Sequence, residues 1–571
     1  MQTVKKYIVQ KDFDSGTLII SKPGTYILSE NIKFNPNPDN DWFPRENQLK
    51  SNGGIYDDFA YRFGFFTAIA ISASDVILDL NNKIIEQSLE HRIQQRFFSC
   101  IELSNQPFPS KKGPANFGNS LISTNNCIIK NGTIGASSHH GIHGNNNNNI
   151  TLKNITITKF EIAGISLNKI NNLVIDNVTI TDNNKNVPIL GTYSAGRFIR
   201  SFIKNIINNT ESKEIKKEGF EKLHKLELEL NQTFNEIMNG KRITSDLYRN
   251  DSKLVDGLSI GILLNNQVNV DDFIISNDNR ISNITIKNSN IYKLKNSVIE
   301  IVSLASGEKQ NIFKGPTGSA LQIHKITDKN GYYKQNSLAE VQFFIAKYGK
   351  KLTEVGRNSI PSDMIDWHKS NDITLKKLML NNKYQYQYNG DTMHHLLKGL
   401  IGIKIDCCDN LNIINCNISD VINFSNLGYS KNIEYIYSHN KQVYSKGYSG
   451  CICRGISIHN CKDVNINNVN ISVIKSRNGS SIACDVFNQS TNVNIDNLHI
   501  DKIYAGRKNL NDKWEGVDYD NSYVNYVNKY PNLYPTAYGL RVLDDSTVSI
   551  NNISISNYIK SVGEFKKITL N

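Results

Sequence analysis

Short runs in which apolar and polar residues alternate recur along the whole chain, and their period of two marks β-strands with one buried face. "NITLKNITI" (149–157) shifted by 23 residues lands on "NLVIDNVTI" (172–180), superposing Ile150 on Leu173, Leu152 on Ile175, Ile155 on Val178 and Ile157 on Ile180. The phrase returns at 126–134, 283–291, 410–418, 463–471, 492–500 and 547–555, with a weaker copy at 372–380. Each copy predicts two short strands broken by a polar pair at a corner. A third short strand precedes most copies: "GIHG" (141–144), "GISL" (164–167), "GILL" (261–264), "GIKI" (402–405), "GISI" (455–458), "ACDV" (483–486) and "GLRV" (539–542).

Three short strands per unit, repeated without an intervening helix, predict an all-β parallel solenoid and disfavour a leucine-rich repeat. Stacked coils lie about 4.8 Å apart, so every position of the phrase becomes a column. Asn131, Asn154, Asn177, Asn288, Asn415, Asn468, Asn497 and Asn552 share one column, at the corner between the second and third strands. Asn tolerates left-handed backbone geometry, and its amide both donates and accepts along a stack. These asparagines are therefore read as scaffold, and the N-x-[ST] matches among them carry no message.

With "GTYILSENIKF" (24–34), "AIAISASDVILDLNNKIIEQ" (68–87) and "IIKNGTIGASSHHGIHG" (128–144), the chain resembles a right-handed parallel β-helix of the pectate-lyase-like superfamily. The resemblance covers roughly residues 20–180 and 255–560. In composition the chain also resembles β-helix proteins of giant DNA viruses. The resemblance is specific for fold rather than chemistry and assigns no catalytic residues; the leading expectation is a groove along the first-strand face that binds polysaccharide, with cleavage left open. Of the polygalacturonase motifs only "SHHGIHG" is echoed, and it comes too early in the chain.

The expected organisation is an N-terminal cap with first strands (1–65), a β-helix (66–560) and a C-terminal tail (561–571). Insertions interrupt the β-helix at 186–256, 303–370, 381–400, 424–450 and 505–537. Helix formers with apolar residues at Phe220, Leu223, Leu226, Leu228 and Leu230, stopped by Gly240, predict a helical hairpin in the first insertion. Residues 336–352 predict another helix. Those at 429–450 and 512–539 are Tyr-rich, and aromatic rings beside hydrogen-bonding groups suit either sugar stacking or packing of the loop on the coils.

On the first strands, with Ile403, Ile405, Ile456, Ile458, Cys484, Val486, Leu540 and Val542 facing inward, the outward column reads Lys404, Ser457, Asp485, Arg541. Asp406, His459, Phe487 and Leu543 follow one step along. Earlier coils contribute His143 and Ser166, and "SVIEI" (297–301) contributes Glu300. In a lyase or glycosidase, Asp406 or Asp485 supplies a carboxylate, His459 or Lys404 moves a proton, and Arg541 holds an acidic sugar. Glu300, Trp514 and Tyr519 are the expected substrate contacts. Two alternatives stand beside cleavage: an exposed ion-pair ladder on a binding surface, and a structural or surface protein, such as a virion component, for which a rigid solenoid suffices.

Composition refines this picture. The 571 residues are 39% hydrophobic and 21% charged, which fits a folded chain, and about one in seven is Asn. The net charge of +12 favours anionic partners, of which an acidic polysaccharide ranks above nucleic acid. Much of the excess sits in short Lys clusters such as 213–217 and 347–351, which read as solvated faces. Neither a signal-peptide core nor a run approaching roughly 18 apolar residues is present, so no membrane partner is expected, and the setting is intracellular, or a virion if the source is viral. Nine cysteines without a C-x-x-C pair read as reduced thiols, stacked or buried, with no zinc site. No acidic motif supports calcium, so no cofactor is expected, and the oligomeric state is left open.

Overall fold

A computed structural model describes residues 4–183, 200–239, 259–266, 280–296, 400–423, 453–476, 481–505 and 537–556, with short breaks inside some of these segments. The expected helix at 336–352, the weak repeat at 372–380 and almost all of the insertions at 303–370, 381–400, 424–450 and 505–537 lie outside the described residues.

Two all-parallel sheets make a parallel β-helix. One has ten strands, from Leu18–Ile20 through His140–Asn145, Ala163–Asn168, Ser259–Asn265, Leu400–Asp406, Cys453–His459 and Ser481–Phe487 to Ala537–Val542. Most of these are the Gly-led strands of the sequence. The other has fifteen strands and holds both halves of the repeated phrase. Its register is the one a 23-residue shift demands, with Ile150 on Leu173, Leu152 on Ile175, Ile155 on Val178 and Ile157 on Ile180.

The polar pair separates two strands, as the pattern predicts, at Ile281–Lys287 and Asn290–Asn296, at Cys408–Ile414 and Asn417–Asn423, and at Val548–Ile550 and Ile553–Ser556, but not in the other described phrases. Asn148–Thr158, Asn171–Thr181, Lys462–Ser476 and Thr491–Ala505 each run through it as one strand. A single left-handed residue turns the backbone there: φ lies between 51° and 58° at Asn131, Asn154, Asn177, Asn288, Asn415, Asn468 and Asn497. Neighbouring coils carry the same left-handed residue at the same place, so the coils stay in register on both sides of the kink.

Side-chain amides repay part of the backbone cost. Asn154 donates to Asn131 Oδ1 (3.2 Å), Asn177 to Asn154 (2.9 Å), Asn415 to Asn288 (3.3 Å), Asn468 to Asn415 (2.8 Å) and Asn552 to Asn497 (2.8 Å). Asn288 departs from the column and donates to Asp176 at 2.8 Å. A second left-handed column begins the phrase, where Asn149 donates to Asn126, Asn283 to Asn172 and Asn410 to Asn283, at 2.8, 2.9 and 2.9 Å. A non-Gly residue in this region clashes at Cβ, a cost of roughly 1–2 kcal/mol, and Asn offsets it with a bond that Ala or Val cannot make.

The core is one continuous stack of Ile, Leu and Val from both sheets. Among it lie Cys408, Cys416, Cys461 and Cys484, all buried, with thiols that burial pushes to higher pKa. Near the N-terminal end, Phe13, Phe34, Phe65 and Phe98 pack edge-on or tilted, with Phe34 touching the other three at 5.4–6.4 Å. Among the described residues the one long helix, Lys213–Met238, buries Leu223, Leu226 and Leu230. Its Phe234 meets Trp42 at 5.5 Å, so it docks on the N-terminal segment. Phe220 and Leu228 are exposed, because only the 3–4 spacing of the other leucines keeps one face toward the core.

Glycine leads the first strands for a steric reason. A Cβ on Gly164, Gly261, Gly402 or Gly455 would stand 2.5–2.8 Å from the carbonyl oxygen of the next coil, and equally close to an Ile methyl of the facing sheet. Gly402→Ala should therefore destabilise the protein by about 1–3 kcal/mol, because its Cβ meets Gly455 O at 2.6 Å and Ile418 Cγ2 at 2.7 Å. Urea unfolding should show a lower midpoint; an unchanged midpoint would mean that the coils separate at no cost.

Candidate functional site

The outward positions of the ten-stranded sheet bring together most of the residues that sequence reasoning selects. Lys404 pairs in register with Ser457, Ser457 with Asp485 and Asp485 with Arg541, while Asp406 pairs with His459 and His459 with Phe487. Alternation then dictates that Ile403, Ile405, Ile456, Ile458, Cys484 and Val486 enter the core, as they do. Glu300, Trp514 and Tyr519 lie outside the described residues.

Two ionic clusters form on adjacent coils. In the first, Lys404 Nζ and Asp406 Oδ2 are in direct contact, and His459 Nδ1 lies 3.3 Å from Asp406 Oδ1 without the alignment of a hydrogen bond. The Asn488 amide donates to His459 Nε2 at 2.9 Å, so Nε2 is an acceptor and the imidazole proton rests on Nδ1, facing Asp406. Phe487 stacks on the His459 ring at 4.6 Å. Burial alone would raise the Asp406 pKa, but Lys404 and His459 overcome it and hold the carboxyl well below its ordinary range.

In the second cluster Asp485 is clamped between two guanidinium groups. Arg454 Nε donates to Oδ2 at 2.7 Å; Arg541 donates from Nε to Oδ1 and from Nη2 to Oδ2, both at 2.8 Å. Asp485 is 0% exposed, and the side chains of Arg454 and Arg541 only 12% and 19%. Burial raises its pKa, and the two arginines overturn this and leave the carboxyl below its ordinary value. Arg454 escapes sequence reasoning because strict alternation back from Ile456 places it inward, whereas Gly455 and Ile456 both face the core and Arg454 turns outward to Asp485. Between the clusters, the Ser457 hydroxyl is buried without a hydrogen-bond partner.

A third polar group, toward the N-terminus on the same face, was only half legible. Glu102, His143 and Ser166 occupy one outward column on three consecutive coils. His143 Nδ1 lies 2.7 Å from Glu102 Oε2. Glu102 gave no signal in the sequence because its strand, Ser99–Glu102, lacks the leading glycine. Between the N-terminal group and the two ionic clusters lie Ala163, Ile260, Ile401 and Leu263, packed on one another apart from the main core.

Among the described residues, no three His, Cys, Asp or Glu side chains converge as a metal site requires, and no helix is long and apolar enough to cross a membrane. No family model matches the chain, and no curated protein matches it. Among solved structures it is similar to the Streptococcus pneumoniae surface protein and adhesin PfbA, at 10% identity and a TM-score of 0.26, over 96% of this chain and 90% of that one. It is also similar to the catalytic domain of a GH87 alpha-1,3-glucanase in complex with nigerose, at 9% identity and a TM-score of 0.21, over 97% of this chain and 62% of that one.

The buried ion pairs set an acid limit on stability. A carboxyl whose folded pKa lies below its unfolded value near 3.8 stabilises the fold above that value and loses the contribution as pH falls through the folded pKa. Thermal unfolding from pH 7 to 3 should therefore show the midpoint falling steeply only below about pH 4. Asp485→Asn should lower the midpoint at pH 7, by about 3 kcal/mol of stability, since it leaves two buried arginines without a counter-charge, and should flatten the acid limb. An Asp485→Asn variant as stable as the parent would show that the clamp contributes nothing.

Proposed function

We propose that the outward face of the ten-stranded sheet binds an acidic polysaccharide, and that its C-terminal clusters hold the ligand without cleaving it. One observation carries this reading: charged, amide, imidazole and aromatic groups gather on four adjacent coils, each fixed by a neighbour. Arg541 lies over the Tyr538 ring at 5.4 Å, and Phe487 backs His459, so aromatic faces sit beside hydrogen-bonding groups, the combination that suits a sugar's apolar face and hydroxyl rim. Three cations, Lys404, Arg454 and Arg541, stand against two carboxylates, Asp406 and Asp485, which leaves the cluster positive. The chain's net charge of +12 adds attraction for a polyanion.

Binding fits this cluster better than turnover does. Asp485 is wholly enclosed and saturated by two arginines, and both it and Asp406 are held as strongly ionised carboxylates. A general acid needs a raised pKa and an open path to the glycosidic oxygen, and neither carboxyl has the first. The resemblance to the pectate-lyase-like superfamily is, in this reading, one of scaffold and of ligand class.

Affinity electrophoresis of the full chain through gels containing pectate, alginate or neutral glucans tests the reading. Retardation is expected in the acidic gels, weakening as salt rises, with no reducing ends or unsaturated products released. Tyr538→Ala should weaken binding by about 1 kcal/mol, roughly fivefold, while far-ultraviolet circular dichroism stays unchanged. Absence of retardation in every gel, or full affinity in Tyr538→Ala, would overturn it.

A further inference from the structure

The N-terminal polar group on the same face carries a carboxylate, an imidazole and a hydroxyl at one register position on successive coils. Glu102, His143 and Ser166 follow one another at the same register position on three coils, so their Cα atoms are about 4.8 Å apart in turn and their side chains leave the same face. Ile142, Ile165 and Leu167, the residues flanking them, all enter the core, which fixes that direction.

Hydrogen bonding sets the state of the central imidazole. Asn265 Nδ2 donates to Asn168 Oδ1 at 2.9 Å, which turns the Asn168 amide nitrogen toward the preceding coil, where it donates to Asn145 Oδ1 at 2.8 Å. The same nitrogen lies 3.4 Å from His143 Nε2. A donor on that side makes Nε2 an acceptor, so the ring proton sits on Nδ1, 2.7 Å from Glu102 Oε2. Glu102, 1% exposed, also receives Ser99 Oγ at 3.2 Å and has Ser104 Oγ 2.9 Å from its other oxygen. His140 stacks on His143 at 5.1 Å, 11° from parallel, and fixes the plane of the ring.

The two carboxylate–imidazole pairs on this face differ in one respect. His459 Nε2 is closed by a 2.9 Å contact with Asn488, whereas the 3.4 Å contact at His143 is long and weak. Among the described residues no hydrogen bond holds the Ser166 hydroxyl. Its column neighbour on the following coil is Leu263, which packs with Ala163, Ile260 and Ile401. An apolar surface thus borders the serine on the side away from the base.

We infer that Ser166, His143 and Glu102 form an acyl-transfer site that hydrolyses carboxylic esters with a short acyl group. Ser166 Oγ attacks the ester carbonyl carbon, and its proton passes to His143 Nε2, displacing the contact with Asn168. Collapse breaks the bond to the alkoxy oxygen, which takes that proton and leaves as the alcohol, with the acyl group on Ser166 against Leu263. Water then attacks the acyl carbon, gives a proton to Nε2, and the carboxylic acid departs as the proton returns to Ser166. Glu102 is a positioning residue: it holds the Nδ1–H tautomer and stabilises the imidazolium between the steps. Ser166 is 3% exposed, at the floor of the face, which restricts the acyl group to a short one.

Treating the full chain with a small alkyl fluorophosphonate tests this directly, because phosphonylation joins Oγ to phosphorus, expels fluoride and sends the serine proton to the base. Intact mass and peptide mapping should show one adduct, on Ser166, absent in Ser166→Ala and formed at least ~100-fold more slowly in His143→Ala. Hydrolysis of p-nitrophenyl acetate should fall in parallel. Glu102→Gln should slow both and remove the downfield Nδ1–H proton resonance of His143, and Glu102→Asp should restore part of each. A folded parent chain that takes no adduct on Ser166 would overturn the inference without any variant; so would an unchanged rate in folded His143→Ala. Neither readout uses carbohydrate, so this result and the gel retardation stand or fall separately.

Discussion

Each coil lies directly on the one before it, in register, so every side chain must be compatible with the same position about 4.8 Å away. That constraint generates the columns. Isoleucine on isoleucine fills the core, and asparagine on asparagine satisfies amides at a corner where the backbone is left-handed. Glycine follows glycine where a methyl group would strike the next coil's carbonyl oxygen. A charge in such a column needs an opposite charge as its neighbour, and Asp485 between Arg454 and Arg541 is what results.

The same stacking explains why chemistry accumulates on the ten-stranded sheet. Its strands are short, and each outward row offers only a few positions per coil, so polar groups on neighbouring coils are forced into contact. Lys404, Asp406 and His459 meet in this way, as do Glu102 and His143. The two histidines share a pattern, with a carboxylate at Nδ1 on the preceding coil and an amide at Nε2 on the following one. The distance to the amide separates them: 2.9 Å at His459 and 3.4 Å at His143.

Much of the scaffold was legible because period-two alternation and a 23-residue shift are local signals. Asn154 over Asn131 and Ile150 under Leu173 follow from counting alone. The outward column Lys404, Ser457, Asp485, Arg541 was legible for the same reason, since alternation after a leading glycine assigns faces. Two features broke that reasoning. Arg454 lies before Gly455, where strict alternation misplaces it, and Glu102 lies on a strand without the glycine that marks most of the others. The second corner column, Asn126 to Asn410, was overlooked because its members flank the phrase instead of dividing it.

By itself the sequence determined the stacking, the register and most of the residues that face outward, because these depend on spacing that each coil repeats. It could not decide what an outward residue does, because that depends on distances between chains of atoms on different coils. Asp485 reads as an available carboxylate until Arg454 and Arg541 close on it at 2.7 and 2.8 Å. His143 reads as an isolated histidine until Glu102, 41 residues earlier, meets it at 2.7 Å. Only the tertiary structure set these contacts, since the lengths of the intervening loops carry no information about which side chains will share a column.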